Sequence, residues 1–466
     1  MASVVHVVHC IDTEGPLHES VEATFERLKS IFGLDLEPSA ALLARLQAGE
    51  VDLDGIEAAV RTVVDPHLLA YNDTWDKIDA MLAECVSPGF RNRTQDSEGQ
   101  GWVYNWFCVD HVDYDANPRR RDIGYHNVFD HYLGMIRDSD SSRDGVQFHY
   151  HPHNFRREAN RCATHWWASS DSLHQILSRR VIDRQWFPAA HRAGFHVLRP
   201  DSHWFLEQHV PFDLSSQATV PAEEDKAQSG LDSGRWGDWR RAPATWEPYH
   251  PAHDDYQVRG DCRRWIARCL NVGTRYRLLT EDHVRQAFRE AREERPVVLA
   301  FTNHDFRDIR PDVDGVRGLL ERVGRDFPDV PVRFSEAVEA MRDALHLPLA
   351  PACELEVSLV ATGDASHTLE IRSTVATFGP QPWLALKTVA GTYHHDNLDI
   401  DVPFHRWRYV FDEETFPLQA LGAIGVAANN ASGVATVVNL DPATGQSVRR
   451  VLNAPADRAA APVGPR

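Results

Sequence analysis

Residues 4–11 form a short, mostly apolar run, broken only by His6 and His9, that ends in Asp12-Thr-Glu-Gly-Pro16. Val, Ile and Cys in series predict a strand buried on both faces, and Gly15-Pro16 stops it. Val21, Phe25, Leu28 and Ile31 recur at helical spacing, and residues 39–47, 56–63 and 75–82 read as further helices. Strands are expected at 102–109, 145–148, 190–196, 212–216, 296–301 and 332–334. Helices are expected at 170–186, 282–293, 315–323 and 335–345. Such alternation over residues 1–345 predicts a parallel sheet or a βα barrel, with a long helical insertion at about 34–101. In those folds the C-terminal ends of the strands form the active face.

The pattern changes after Leu347-Pro-Leu-Ala-Pro351. Residues 354–360, 368–373, 398–402, 406–411 and 434–439 alternate apolar and polar positions, with no long helical stretch among them. Residues 352–452 are therefore expected to form a separate antiparallel β-sandwich. The Ala/Pro-rich segment 453–466 is expected to be disordered, and the polar stretch 223–237 to be a loop over one face.

The chain has 466 residues, enough for two to four domains of about 150 residues. Its 49 basic and 68 acidic residues give a net charge of −19, which argues against non-specific binding to nucleic acid or to an anionic membrane. No apolar run is long enough to span a bilayer, and the first ten residues lack a basic region, so they read as a strand and not as a signal peptide. Seven cysteines without a CxxC pair suggest reduced thiols and a cytoplasmic location. The 25 histidines draw attention to metal and proton chemistry.

Four runs carry candidate chemistry, each at an expected strand end. In His149-Tyr-His-Pro-His153 an extended chain puts His149, His151 and His153 on one face, and Pro152 excludes a helix. Two or three of these imidazoles can hold one Zn²⁺-like ion; ordinary surface histidines are the alternative. Asp12-Thr-Glu14 offers a carboxylate as general base or metal ligand, or else a helix cap. In Asn303-His304-Asp305 the imidazole suits proton transfer near neutral pH, or is a plain loop residue. Arg192, before Gly194, can orient a carboxylate bidentately, or form a structural ion pair. Asp110 and His111 can line the same mouth and contact substrate. Trp236, in a segment with Trp239, Trp246 and Tyr249, can stack on a sugar face, or pack under a loop. Arg119-Arg-Arg121 can meet an anionic group, or be a solvated loop.

In chain order these runs resemble the polysaccharide deacetylase family (NodB homology, carbohydrate esterase 4-like). The resemblance spans about residues 1–345 and rests on the acidic pair at Asp12 and Glu14, the histidines before and after Pro152, the Arg192 strand end and His304. It implies a distorted (β/α) barrel of the glycoside hydrolase/deacetylase type, here followed by the sandwich. It also implies metal-assisted hydrolysis of an N-acyl group on an amino sugar or related C–N substrate. Asp12 would be the base, held ionised by Arg192; His304 would be the acid; a divalent ion, Zn²⁺ first, would sit on Glu14 and the histidines. Thr13 stands where the family has a second aspartate. That leaves three options open: Glu14 as substitute ligand, Asp12 as ligand, or a metal-free amidohydrolase. Either His151 or His153 can be the second histidine ligand. A catalytically inactive carbohydrate-binding or scaffold protein is the reading outside hydrolases.

Overall fold

The computed structural model describes residues 2–153, 155, 157, 165–219, 237–348, 350–363 and 366–454. Strands β1 (Val5–Thr13), β2 (Tyr104–Cys108), β3 (Gly145–Tyr150), β4 (Ala190–Ala193) and β5 (Phe212–Ser216) are successive parallel neighbours. A small hairpin, β6 (Pro251–Ala252) and β7 (Asp255–Arg259), precedes β8 (Trp265–Asn271) and β9 (Val297–His304). β1 pairs with β9 on one side and β2 on the other, which closes seven strands into a barrel. The short β10 (Val332–Phe334) lies beside Val5–Val7, where β1 has not yet met β2. All of β1 is buried, as its Val/Ile/Cys-rich run predicts, and the two histidines within it are satisfied internally, His6 by Ser335 and His9 by Asn303 at 3.0 Å each.

Strand pleating decides which residues reach the barrel axis. Val8 and Cys10 of β1, Ala190 of β4, and Val298 and Ala300 of β9 share one core cluster with the helix Ala337–Ala344. Side chains alternate along a strand, so Asp12, Arg192 and His304 continue these inward rows to the C-terminal mouth. Residues 34–101 fold as helices, and Leu46, Val60 and Val63 join Phe25 and Leu28 in a small core of their own. Among them, the helix Trp75–Cys85 packs into the main core through Ile78, Met81 and Leu82.

The segment after Pro351 is two antiparallel sheets. One has the order β11 (Glu356–Ala361), β12 (His367–Arg372), β16 (Arg406–Phe411), β15 (Asp399–Val402). The other has the order β14 (Tyr393–Asp396), β13 (Trp383–Thr388), β17 (Leu421–Asn429), β18 (Ala435–Leu440), β19 (Ser447–Leu452). Leu369, Ile371 and Trp407 of the first sheet and Leu384, Ile424 and Val426 of the second fill the space between them. The expected α/β barrel followed by an antiparallel sandwich is thus present.

The sandwich is not a loose appendage. Its second sheet covers the helix Ser170–Arg184. A Cβ on Gly425 would lie 2.6 Å from Val181, so only glycine lets strand and helix approach this closely. Asn429 Nδ2 donates to the Pro188 and His209 carbonyls at 2.7 and 2.9 Å.

Several boundaries differ from the sequence reading. β4 stops at Ala193, because residues 194–196 form a tight turn in which Phe195 and His196 have positive φ of 52° and 56°. β8 was not foreseen. Arg268 interrupts its apolar pattern and Arg264 directly precedes it, yet both are buried with internal partners: Arg264 pairs with Asp213 at 2.8 Å, and Arg268 donates to the Ala218 and Ala244 carbonyls. The proposed loop at 223–237 lies outside the described residues except Gly237, as does the tail from residue 455. Among the described residues no helix is long and apolar enough to cross a membrane.

Candidate functional site

Asp12 ends the inward row of β1 and meets Arg192, which ends that of β4. Arg192 Nε and Nη2 donate to the two Asp12 carboxylate oxygens at 2.6 and 3.1 Å, and both residues are almost fully buried. Nη1 of Arg192 donates to the Leu214 carbonyl and Nη2 also approaches His196 Nε2 at 3.4 Å. Burial by itself would raise the Asp12 carboxyl, but the guanidinium and the nearby His149 ring outweigh it and hold the acid well below the usual carboxylate range. The pair is a fixed anion on a fixed cation.

His149 stands next to it on β3. Its Nδ1 lies 2.9 Å from the Arg192 carbonyl, to which it donates, and this assigns the lone pair to Nε2. That atom is 2.8 Å from Nε2 of His151 and 4.0 Å from Oε1 of Glu14; His151 Nε2 is 3.5 Å from the same Glu14 oxygen. Glu14, His149 and His151 are the group among the described residues whose ligand atoms converge in this way. Ligands held at ~2.0–2.1 Å by one Zn²⁺ lie at most ~4.2 Å apart. All three separations fit inside that limit, so the donor set can hold a metal ion.

His304 completes the mouth from the end of β9. Its Nε2 is 3.8 Å from Asp12 Oδ2 and 3.8 Å from Glu14 Oε1, while Nδ1 makes no hydrogen bond. Burial pushes the imidazole down to about 4, the two carboxylates notwithstanding, so it is neutral at pH 7. The Phe306 ring lies against it with centroids 4.7 Å apart.

The Glu14 turn is held by Asp305, which the sequence reading named only as the neighbour of His304. Asp305 accepts the Glu14 and Gly15 backbone N–H groups at 2.9 Å each and the Tyr132 hydroxyl at 2.9 Å. Burial raises it to about 7, against those donors. A further ion pair, Arg121 Nη2 with Glu14 Oε2, fixes the other Glu14 oxygen. Phe195 sets its ring edge-on to His151 at 5.2 Å, which gives the left-handed turn after β4 a use.

Three expectations require correction. The three imidazoles do not all converge: His149 and His151 do, while His153, past the end of β3 and past Pro152, is outside the group. Asp110 does not line the mouth for substrate; it is buried with its oxygens on Arg180 (2.7 Å) and on the His126 backbone N–H (2.5 Å). His111 is 1% exposed, and its Nε2 is engaged by the Glu14 carbonyl at 3.0 Å, so it braces the acidic turn from behind. Trp236 lies outside the described residues, while Trp239, Trp246 and Tyr249 are core side chains. The chain matches no family model, no curated protein and no solved structure.

Proposed function

We propose that the chain is a metal-dependent hydrolase that removes an N-acyl group from an amino sugar or a related C–N bond substrate, with Zn²⁺ as the metal. One observation carries this reading: the lone pairs of Glu14, His149 and His151 converge beside a clamped Asp12–Arg192 pair and an imidazole free at the mouth. Two nitrogens and one carboxylate oxygen are the donor set of many hydrolytic zinc sites. When bound, a divalent cation supplies Lewis acidity to the water nucleophile and the acyl oxygen.

The residues of the chain do the rest. Glu14, His149 and His151 hold the ion. Arg192 keeps Asp12 ionised and fixes its direction. As water adds to the acyl carbon, its proton passes to the Asp12–His304 pair, whose facing atoms are 3.8 Å apart. His304 Nε2 then delivers that proton to the departing nitrogen as the C–N bond breaks, since an amine anion is a poor leaving group. Burial leaves the resting imidazole neutral, so the proton it donates is the one taken from water.

The test is elemental analysis of protein purified without chelator or tag metal, alongside acetate release from N-acetylated sugars. Near-stoichiometric metal in the wild type that is lost in His149→Ala is expected. Asp12→Asn and His304→Ala should keep the metal and lose on the order of 10²–10⁴ in rate. A wild type that takes up neither Zn²⁺ nor Co²⁺ sinks the metal-dependent reading. Unchanged turnover in Asp12→Asn sinks the catalytic assignment.

A further inference from the structure

On the side of the mouth beyond His304, five arginines gather around two carboxylates. Phe306, packed on His304, carries the Arg121 and Arg307 guanidiniums at 5.0 Å each from its ring centre. Arg307 also lies 5.1 Å from the Tyr71 ring. Arg27, Arg119 and Arg275 interact electrostatically with one another's surroundings here: Glu19 and Tyr71 act on all three. The carboxylates are Glu14, taken by Arg121, and Glu19, whose Oε2 is shared by Arg27 at 2.6 Å and Arg119 at 3.8 Å. The next acid, Asp308, is held by Arg310 at 2.8 Å.

Two facts set this cluster apart from a solvated basic face. Its members are largely withdrawn from water: the Arg27, Arg119 and Arg121 side chains are 9%, 12% and 7% exposed. And their donors are not used up. Arg27 Nη1, Arg119 Nε, and Arg121 Nε and Nη1 are buried and donate no hydrogen bond. Buried cations with idle N–H groups are costly unless an anion meets them. Burial, with neighbouring guanidiniums adding to it, depresses Arg119 and Arg275 below the usual arginine range, Arg275 to about 10. The rest of the protein is no source of such positive charge, since the whole chain carries −19.

We propose that this cluster is an oxyanion subsite and that the substrate carries a carboxylate or phosphate group which it grips while the scissile bond lies at His304. Planar guanidinium forks match both groups bidentately. The subsite begins one aromatic ring from His304, which suits a compact anionic substrate better than a neutral polymer. The inference rests on the hydrolase reading for the identity of the mouth, but anion binding itself does not depend on metal.

The experiment is calorimetric titration of the metal-stripped full chain with inorganic phosphate and, separately, with malonate, at constant ionic strength set with NaCl. Wild-type binding by either anion is expected, and the stronger of the two identifies the group. Arg119→Gln should weaken it about tenfold or more, with Arg119→Lys in between. Arg307, half-buried and on a different element, is replaced by Gln to carry the test should Arg119→Gln not fold. No heat beyond the NaCl control in the wild type, or equal affinity in wild type and a folded variant, overturns the subsite. Zn²⁺ content measured on unstripped protein from the same preparation separates the two ideas: anion binding without metal in that protein sinks the metal-dependent reading alone, and metal without anion binding sinks the subsite alone.

Discussion

Replacing Arg192 with Met strips the cation from Asp12 but keeps the side chain's bulk. Asp12 is 2% exposed and has no other cation within reach except rings held neutral by burial, so the variant leaves a charge stranded inside the barrel. Removing one partner of a buried pair costs about 3–5 kcal/mol at neutral pH. The pH dependence gives the signature. In the wild type the Asp12 carboxyl is depressed, so its contribution is present above the unfolded value of about 3.9 and is lost as pH falls below it. In Arg192→Met the burial that opposes ionisation is unanswered and the carboxyl rises above 3.9. The folded variant then binds a proton that the unfolded chain does not, and its stability falls as pH rises from about 4. The wild-type minus variant difference, from urea unfolding at pH 3.5, 5 and 7, should therefore grow with pH. Asp12→Asn in the Arg192→Met background should recover about 2–3 kcal/mol of the loss at pH 7. A loss under 1 kcal/mol at pH 7, or a difference that does not vary with pH, would refute the claim that this pair is a buried, mutually dependent charge couple.

Further outcomes follow from other parts of the molecule. His151→Ala should abolish stoichiometric Zn²⁺ binding while His153→Ala leaves it, measured by elemental analysis; the reverse pattern overturns the choice of second histidine. Gly194→Ala would put a Cβ 2.7 Å from His151 Cγ and 2.9 Å from the Tyr150 carbonyl, so it should displace the ring and weaken Zn²⁺ affinity 10–100-fold without unfolding the chain. Burial pushes His9 and His209 down to about 3 and His395 to about 4, so each unfolded ring binds a proton below pH 6.5 that the folded one refuses. Stability should fall by about 1.5 kcal/mol per ring between pH 6.5 and 5, and His209→Gln should flatten the curve seen in urea titrations. A chain ending at residue 350 would bare Val181, Ile182 and the Phe187–Phe205 surface under Trp383, and should elute from a sizing column as aggregate.

What could be seen in the sequence was what a strand reports about itself. The mostly apolar runs before Asp12 and His304 placed those residues at strand ends, and period-two alternation then carried them to the barrel axis. The same rule, carried past the end of β3 at Tyr150, still holds for His151 but not for His153, further from the strand and beyond Pro152. β8 was hidden because Arg264 and Arg268 are buried and satisfied by distant groups, which no local pattern reveals. Asp110 misled for a related reason: a carboxylate at a strand end looks available until the helix that supplies Arg180 is in place, 70 residues away. Asp305 was legible as a residue but not as a clamp, since its targets are backbone N–H groups at Glu14 and Gly15.

The closure of the barrel through β1 bears on how the chain is made. β1 is the earliest described strand, yet its longest partner, β9, begins at Val297, and β10 follows at Val332. At roughly 5–20 residues per second of synthesis, this largely apolar strand waits roughly 15–60 s for its neighbour. During that time β2 can pair with it, but the ring cannot shut, and the carboxylates of Asp12 and Glu14 have neither Arg192 nor His304 fixed around them. Folding is consequently late and dominated by contacts distant in sequence, the regime that is slow and exposed to aggregation. Nascent chains shorter than about residue 334 should be clients of holding chaperones, and affinity for a metal ion should be born only when the last barrel strand has cleared the ribosome.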